Sequence, residues 1–321
     1  MNNIDTFFNN FVLRLSEKYP RDSKLYLYAD YFELVSLFNK ENIISVSEML
    51  DRLKDEGIIN KEEVTENQAE KNDDDEVFVR RVFNLLEQRK FLFGNDYPFT
   101  YFDEKIFLQN NLNNKQRIYI FLLLASNLNL FKDFQSDLTT EFELMSQKAL
   151  ENYLPNYAIV KGFGKNSEFS GYVCDKIRQL AKMMNLNVNE FFLKSISNKG
   201  TQDLGLDIVG WLPFSDKIGN YISVFGQCAC GKDWNKKLGE TRHYDNFLDS
   251  YLSEITHSLF IPYSLINYNE SIFYEHHVFS PSILLFERKR ILSLISDENI
   301  YDILNTKELI EKCIAFEDDI V

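Results

Sequence analysis

A chain of 321 residues exceeds what one hydrophobic core usually fills, so two domains are expected, and 28 Phe and 17 Tyr within a 45% hydrophobic fraction let both pack well. The formal net charge of −14 argues against a dedicated DNA-binding stripe, although residues 161–300, with 15 basic and 16 acidic side chains, are nearly neutral. Four cysteines (Cys174, Cys228, Cys230 and Cys313) are too few and too unevenly spaced for a disulfide framework or a four-ligand zinc site, no apolar run reaches the length of a membrane span, and the first residues lack the pattern of a signal peptide. A cytoplasmic protein without a membrane partner is expected.

Along the chain, Phe7, Phe8, Phe11, Val12 and Leu15 recur at helical spacing, and Ser47 to Gly57 reads as a helix ending on a C-terminal glycine. The stretch ISVSEMLDRLKDEGII reads as an amphipathic helix packing on its neighbours, with half of a winged-helix-like module as the second reading. Lys61 to Glu76, with Asp73, Asp74 and Asp75 in succession, reads as a solvated loop, because consecutive acids repel and point apart. Helices are expected at Phe78 to Phe93 and Tyr119 to Leu130, which makes residues 1–150 a mostly α-helical regulatory or interaction domain. Residues 151–321 change texture: an amphipathic helix at Tyr172 to Met184, a β-hairpin, a helix from about Asp233 to Leu252, a strand at Ser258 to Leu265 and an apolar segment at Ser282 to Leu294. The fold class is α+β, a helical N-terminal domain followed by an α/β core.

The hairpin carries the candidate chemistry. In Gly205 to Lys237 an apolar run bearing one carboxylate (Leu206, Asp207, Ile208, Val209) is followed by a turn with Pro213 and Gly219 and a second apolar run ending at Gln227. A carboxylate inside a buried strand is costly unless paired or metal-bound, so Asp207 reads as a ligand. Hard cations take oxygen donors, and Gln227 and the carbonyl of Cys228 supply neutral ones, with Asp203 four residues before Asp207 as a further acid. Gly226 to Lys232, GQCACGK, also matches the glycine and lysine spacing of a phosphate-binding loop between a strand and a helix, but Asp233 stands where Ser or Thr should meet magnesium. Nucleotide binding is therefore an alternative reading.

The order helix, strands, helix, strand, with an Asp on one strand and Gln-x-x on the next, resembles the PD-(D/E)XK (restriction endonuclease-like) nuclease superfamily. From about Tyr97 onward, Tyr97-Pro98-Phe99, GLDIVGW, QCACGKDWNKK, Phe260-Ile261-Pro262-Tyr263 and LLFERKRIL also resemble uncharacterised bacterial defence-associated members. The resemblance implies a metal-dependent DNA endonuclease using Mg²⁺ or Mn²⁺, acting against foreign DNA with a partner protein of a defence system or as a homo-oligomer. Carried over residue by residue, Asp207 is the principal ligand, Gln227 the second, and Glu168 or Asp175 the helix acid. The third motif reads Gln227-Cys228-Ala229, so its lysine is missing, and Lys232, Lys236 and Lys237 on the following segment are the replacements, Lys236 first among them. A catalytically inactive scaffold of the same fold is the alternative that the missing lysine implies.

The remaining conspicuous residues read as structural. Trp211 and Trp234 are packing residues, as aromatics usually are. His276 and His277, adjacent on a strand, point to opposite faces. His243 and His257 lack a carboxylate at a telling spacing, and Arg288, Lys289 and Arg290 read as a solvated charged turn.

Overall fold

The computed structural model describes residues 4–59, 68–196, 204–249, 253–279 and 282–316. In chain order its elements are α1 (Ile4–Phe8), α2 (Leu25–Phe38), β1 (Ile43–Ser45), α3 (Val46–Asp55), α4 (Gln68–Phe93), β2 (Phe99–Phe102), β3 (Lys105–Leu108), α5 (Asn114–Ala125), α6 (Gln135–Tyr153) and β4 (Ile159–Gly162). Then follow α7 (Val173–Met183), β5 (Asn187–Val188), α8 (Glu190–Leu193), β6 (Ile208–Trp211), β7 (Ser223–Cys228), α9 (Tyr244–Phe247), β8 (Leu248–Asp249) and β9 (Ile255–Phe260). The last are β10 (Ile266–Asn267), β11 (Ile272–Phe273), β12 (Ile283–Phe286), α10 (Arg288–Leu294) and α11 (Lys307–Ile314). The fold class is α+β, as the sequence suggests.

The division between units is not at residue 150. One unit comprises residues 1–135, 263–277 and 298–321, and the other residues 136–262 and 278–297. The change of texture near Leu150 lies inside α6, an unbroken helix through Tyr153, and two later segments, residues 263–277 and 298–321, cluster with the first unit.

In the first unit, α2 is buried at every position, so it has no polar stripe for periodicity to reveal. Its two acids are answered by Arg89 of α4, itself 1% exposed, which lies 2.8 Å from both Asp30 and Glu33. Tyr97 and Tyr119 donate to Glu33 at 2.7 and 2.9 Å, and Ser126 donates to Asp30 at 3.0 Å. Ser45 opens α3 through a capping box with Glu48. β1, β3 and β2 form an antiparallel sheet in the order β1-β3-β2.

Two expectations fail here. The helical spacing from Phe7 to Leu15 yields helix only over α1, after which Phe11 leaves the helix and its ring stacks on Phe131 at 5.6 Å. The loop expected over Lys61 to Glu76 is helical from Gln68, because α4 places the three acids on different sides: Asp73 and Asp74 stay exposed while Asp75 pairs with Arg21. The remainder of that expected loop, residues 61–67, lies outside the described residues.

The second unit is built on a five-stranded sheet ordered β12-β9-β7-β6-β4, with β4, β6 and β7 antiparallel to one another in turn and β7, β9 and β12 parallel. One face packs Val209, Trp211 and Phe225 against Ile177 and Leu180 of α7. Toward α6, Gly210 leaves room for Leu150 and Leu154, to which a Cβ would stand at 3.2 and 2.9 Å, and Phe260 stacks on Phe286 at 4.4 Å. The expected hairpin is therefore β6 and β7. The helix expected from about Asp233 to Leu252 is instead, as far as Asp249, 3₁₀ turns at Trp234–Lys237 and Glu240–His243, then α9 and β8, because Gly239 at φ +81° breaks the run; residues 250–252 lie outside the described residues. The strand expected at Ser258 to Leu265 is β9, three residues earlier at its start, and Ser282 to Leu294 divides into β12 and α10.

Candidate functional site

Asp207, the residue just before β6, is held from all sides. Its carbonyl accepts from Phe163 and Gly164 N–H at 2.7 and 3.1 Å, its own N–H donates to Gly226 at 2.9 Å, and its Oδ2 accepts from Cys228 N–H at 2.7 Å. These bonds carry the sheet pairing past the strand ends and fix a carboxylate that is only 8% exposed.

A second carboxylate meets it there. Glu143, 7% exposed on α6, accepts from the backbone N–H of Lys165 at 2.8 Å through Oε2. A Cβ built on Gly164 would stand 2.5 Å from Asp207 Oδ1 and 3.0 Å from Glu143 Oε2, so both oxygens converge on the space that this glycine leaves open. The same loop is tied to α6 by Asn166 donating to the Thr140 carbonyl at 2.8 Å and by Lys165 Nζ on Thr139 Oγ1 at 2.5 Å. Lys165 Nζ is thus held on Thr139, one helical turn before Glu143 on α6.

The cysteines share this environment. Burial first, and then the charges of Asp207 and Glu143, push the Cys228 and Cys230 thiols well above the ordinary thiol value, so both are neutral thiols at physiological pH. Lys165 works in the opposite direction on Cys230.

Gln227 points elsewhere, since neighbours on a strand face opposite sides. Its Nε2 donates to Glu240 Oε2 at 2.5 Å, and Glu240 also pairs with Lys237 at 3.1 Å, while Gln227 Oε1 is buried with no hydrogen-bond partner among the described residues. Of the other sequence-selected residues, Glu168 is half exposed and pairs with Lys161 at 2.6 Å, and Asp175 is on α7 beside Arg178 at 3.5 Å. Lys236 is 75% exposed and pairs with Asp233 at 3.2 Å; Lys232 is also exposed. Asp203 lies outside the described residues. Arg288, expected in a solvated turn, is fully buried and donates through Nε to the Pro262 carbonyl at 2.7 Å.

Gly226 to Lys232 departs from a phosphate loop at each point. A Cβ on Gly226 would meet Phe260 at 2.7 Å, so this glycine serves strand packing, and Lys232 leads into a single 3₁₀ turn rather than a helix whose N-terminus could face an anion. A His257 arrangement that sequence spacing hides also appears, with Nδ1 2.9 Å from Thr241 Oγ1 and Nε2 3.2 Å from Asp245 Oδ2. The Thr241 hydroxyl belongs to a residue 2% exposed, beyond the reach of a substrate, so this set ties the 3₁₀ turn to β9.

Among the described residues no group of three or more His, Cys, Asp and Glu side chains is arranged around a metal position. Two carboxylates nevertheless fit Mg²⁺, which usually keeps several waters and takes one or two protein carboxylates besides substrate phosphate oxygens. Glu143 and Gly164 escape sequence reading because they lie far from the hairpin in the chain. No family model matches this chain, and no curated protein or solved structure shows a significant match to it.

Proposed function

We propose that the second unit is a divalent-metal-dependent nuclease that hydrolyses DNA phosphodiester bonds, as the PD-(D/E)XK resemblance implies. The observation that carries this reading is the convergence of Asp207 and Glu143 on Gly164, beside the start of β6 in a sheet whose three antiparallel strands are followed by two parallel ones. That strand order, with α6 preceding it, is the arrangement expected of a restriction endonuclease-like core. Asp207 and Glu143 would hold Mg²⁺ or Mn²⁺, which when bound supplies a water of lowered pKa and positive charge at the scissile phosphate. Asp207 is oriented by the Cys228 N–H and Glu143 by the Lys165 N–H, so both carboxylates are preorganised. Lys165, rather than Lys236, takes the part of the missing motif lysine, its ammonium stabilising charge that develops on the phosphate. The resemblance to defence-associated proteins extends the proposal to an effector acting on foreign DNA.

A second reading, a nuclease-fold scaffold without chemistry, is favoured by Ala229 standing where the motif lysine is expected, between the neutral thiols of Cys228 and Cys230. Incubation of the full chain with supercoiled and linear DNA and Mg²⁺ or Mn²⁺ separates the two. Nicking by the wild type that is lost in Asp207→Asn and Glu143→Gln supports the nuclease. Absence of cleavage by folded wild type, or cleavage that survives both substitutions, refutes it.

A further inference from the structure

The surface around Gly164 bears on which form of nucleic acid can reach the two carboxylates. α7 packs Val173, Ile177 and Leu180 into the core of the second unit, which leaves Tyr172, Lys176 and Gln179, at helical spacing, on its other side. Lys176 carries its Nζ back to the loop after β4, where it donates to the Phe163 carbonyl at 3.2 Å and lies 5.6 Å from the centre of the Phe163 ring. That carbonyl belongs to the peptide bond joining Phe163 to Gly164, the residue on which Asp207 and Glu143 converge. Lys165 follows the glycine directly. Glu168 of the same loop is occupied by Lys161 at 2.6 Å and Asp175 by Arg178 at 3.5 Å, so neither Lys165 nor Lys176 pairs with a carboxylate among the described residues. Two ammonium groups without a carboxylate partner thus belong to the immediate surroundings of this glycine, in a chain of net charge −14.

Tyr172 stands one turn before Lys176, whose N–H donates to the Tyr172 carbonyl at 3.0 Å, and the tyrosine is 52% exposed. A cation for the phosphate and an exposed ring for the base is the combination by which proteins hold single strands, whereas the paired bases of a duplex offer a free face only at its ends. The carboxylates add an independent constraint. Asp207 and Glu143 are only 8% and 7% exposed, and a Mg²⁺ held on them must come within about 2.1 Å of a phosphate oxygen. A flexible strand can bend into such a recess, while a duplex, with a persistence length of about 150 base pairs, keeps its phosphates on a stiff cylinder.

We infer, on the nuclease reading above, that the substrate of this site is single-stranded DNA: Lys165 and Lys176 take neighbouring phosphates, and an unpaired base stacks on Tyr172. Supercoiled plasmid is then nicked at stretches that negative supercoiling unpairs, ahead of linear duplex.

Two measurements on the full chain keep strand binding apart from chemistry. The first is fluorescence anisotropy with Ca²⁺ in place of Mg²⁺, using a labelled DNA strand of about 12 nucleotides and the same strand paired in a duplex. The single strand should bind at least about tenfold tighter than the duplex, with log K falling against log salt at a slope of about −1.4, the value for two phosphates on a single strand. Tyr172→Ala should weaken single-strand binding by about tenfold or more at an unchanged slope, Tyr172→Phe should bind like wild type, and Lys176→Gln should lower the slope to about −0.7. Unchanged melting curves verify that these variants fold. The second measurement is cleavage of both forms with Mg²⁺, in which the single strand should be cut faster. Equal affinity for the two forms, or equal binding by Tyr172→Ala and Tyr172→Phe, would overturn the inference, and the nuclease reading would stand if wild type still cleaved. Single-strand binding with that dependence on Tyr172 but without cleavage would instead sink the nuclease reading and uphold the strand path.

Discussion

Replacing Gly164 by alanine puts the candidate site to its sharpest test, because the change adds one methyl group and removes no functional atom. The new Cβ would stand 2.5 Å from Asp207 Oδ1 and 3.0 Å from Glu143 Oε2, whereas ordinary contact begins at 3.4 Å. Gly164 is outside the left-handed region, so its backbone accepts alanine and the whole effect comes from the side chains. The Asp207 carboxylate must retreat by roughly 1 Å, a displacement of the kind that can cost about 100-fold in rate when it befalls a catalytic group. Retreat also stretches the 2.7 Å bond from Cys228 N–H beyond hydrogen-bonding range. Overpacking costs about 1–3 kcal/mol, so near 2 kcal/mol the melting temperature of the unit falls by about 4–8 °C. In wild type, Mg²⁺ at about 100 times its dissociation constant should add about 2.7 kcal/mol of stability, and Gly164→Ala should lose most of that gain. Differential scanning calorimetry with and without Mg²⁺, beside a plasmid-nicking assay, reads both effects. An alanine variant that melts, gains from Mg²⁺ and nicks like wild type would refute the convergence of the two carboxylates at this glycine.

Three further outcomes are expected. Lys165→Ala should lower metal-dependent cleavage by about 100-fold, as loss of one charge-stabilising group does, while Lys236→Ala, at an exposed ion-paired position, should leave the rate unchanged in the same assay. Arg89→Ala should destabilise the first unit by about 3–5 kcal/mol in urea titrations, because Asp30 and Glu33 would remain buried without their guanidinium. Burial pushes the Glu287 carboxyl above the ordinary Glu value, against the lowering effect of the Arg290 and Lys289 amides and the nearby arginines. The folded state therefore binds this proton more tightly, and the associated stability is complete below the ordinary Glu value and lost as pH rises through the raised one. Denaturation midpoints measured from pH 4 to 7 should accordingly fall more for wild type than for Glu287→Gln, and parallel curves would count against that burial.

Sequence pattern reveals the elements whose side chains divide cleanly between core and solvent. Tyr172 to Met184 alternates at helical period and forms α7, and the two apolar runs around Pro213 and Gly219 form β6 and β7. Pattern is silent for α2, where burial on every side erases the polar stripe and tertiary pairing with Arg89 accommodates its acids. It misleads at Asp73 to Asp75, where a helix separates three neighbours that an extended chain would force together. For the site, Asp207 is legible because a carboxylate within an apolar strand demands an explanation. Glu143 is not, since Glu is an ordinary helix former and its carboxylate meets the Lys165 N–H only when the loop after β4 folds onto α6. Gln227 misleads because spacing along a strand does not reveal which face a side chain takes.

The interleaving of the two units has a consequence for biosynthesis. The chain leaves the first unit at residue 135, returns for residues 263–277 and returns again at residue 298, so neither unit is complete when the ribosome has passed residue 150. Phe316 meets Phe8 at 4.8 Å and Phe38 at 5.6 Å, so the aromatic cluster of the amino-terminal end waits for a residue some 300 positions later in the chain. The second unit has all its residues once residue 297 has been made, whereas the first, although it opens the chain, still waits for the segment from residue 298 onward. A fragment cut after residue 150 would part Glu143 from Asp207 and leave two pieces that each lack strands or helices of their own core.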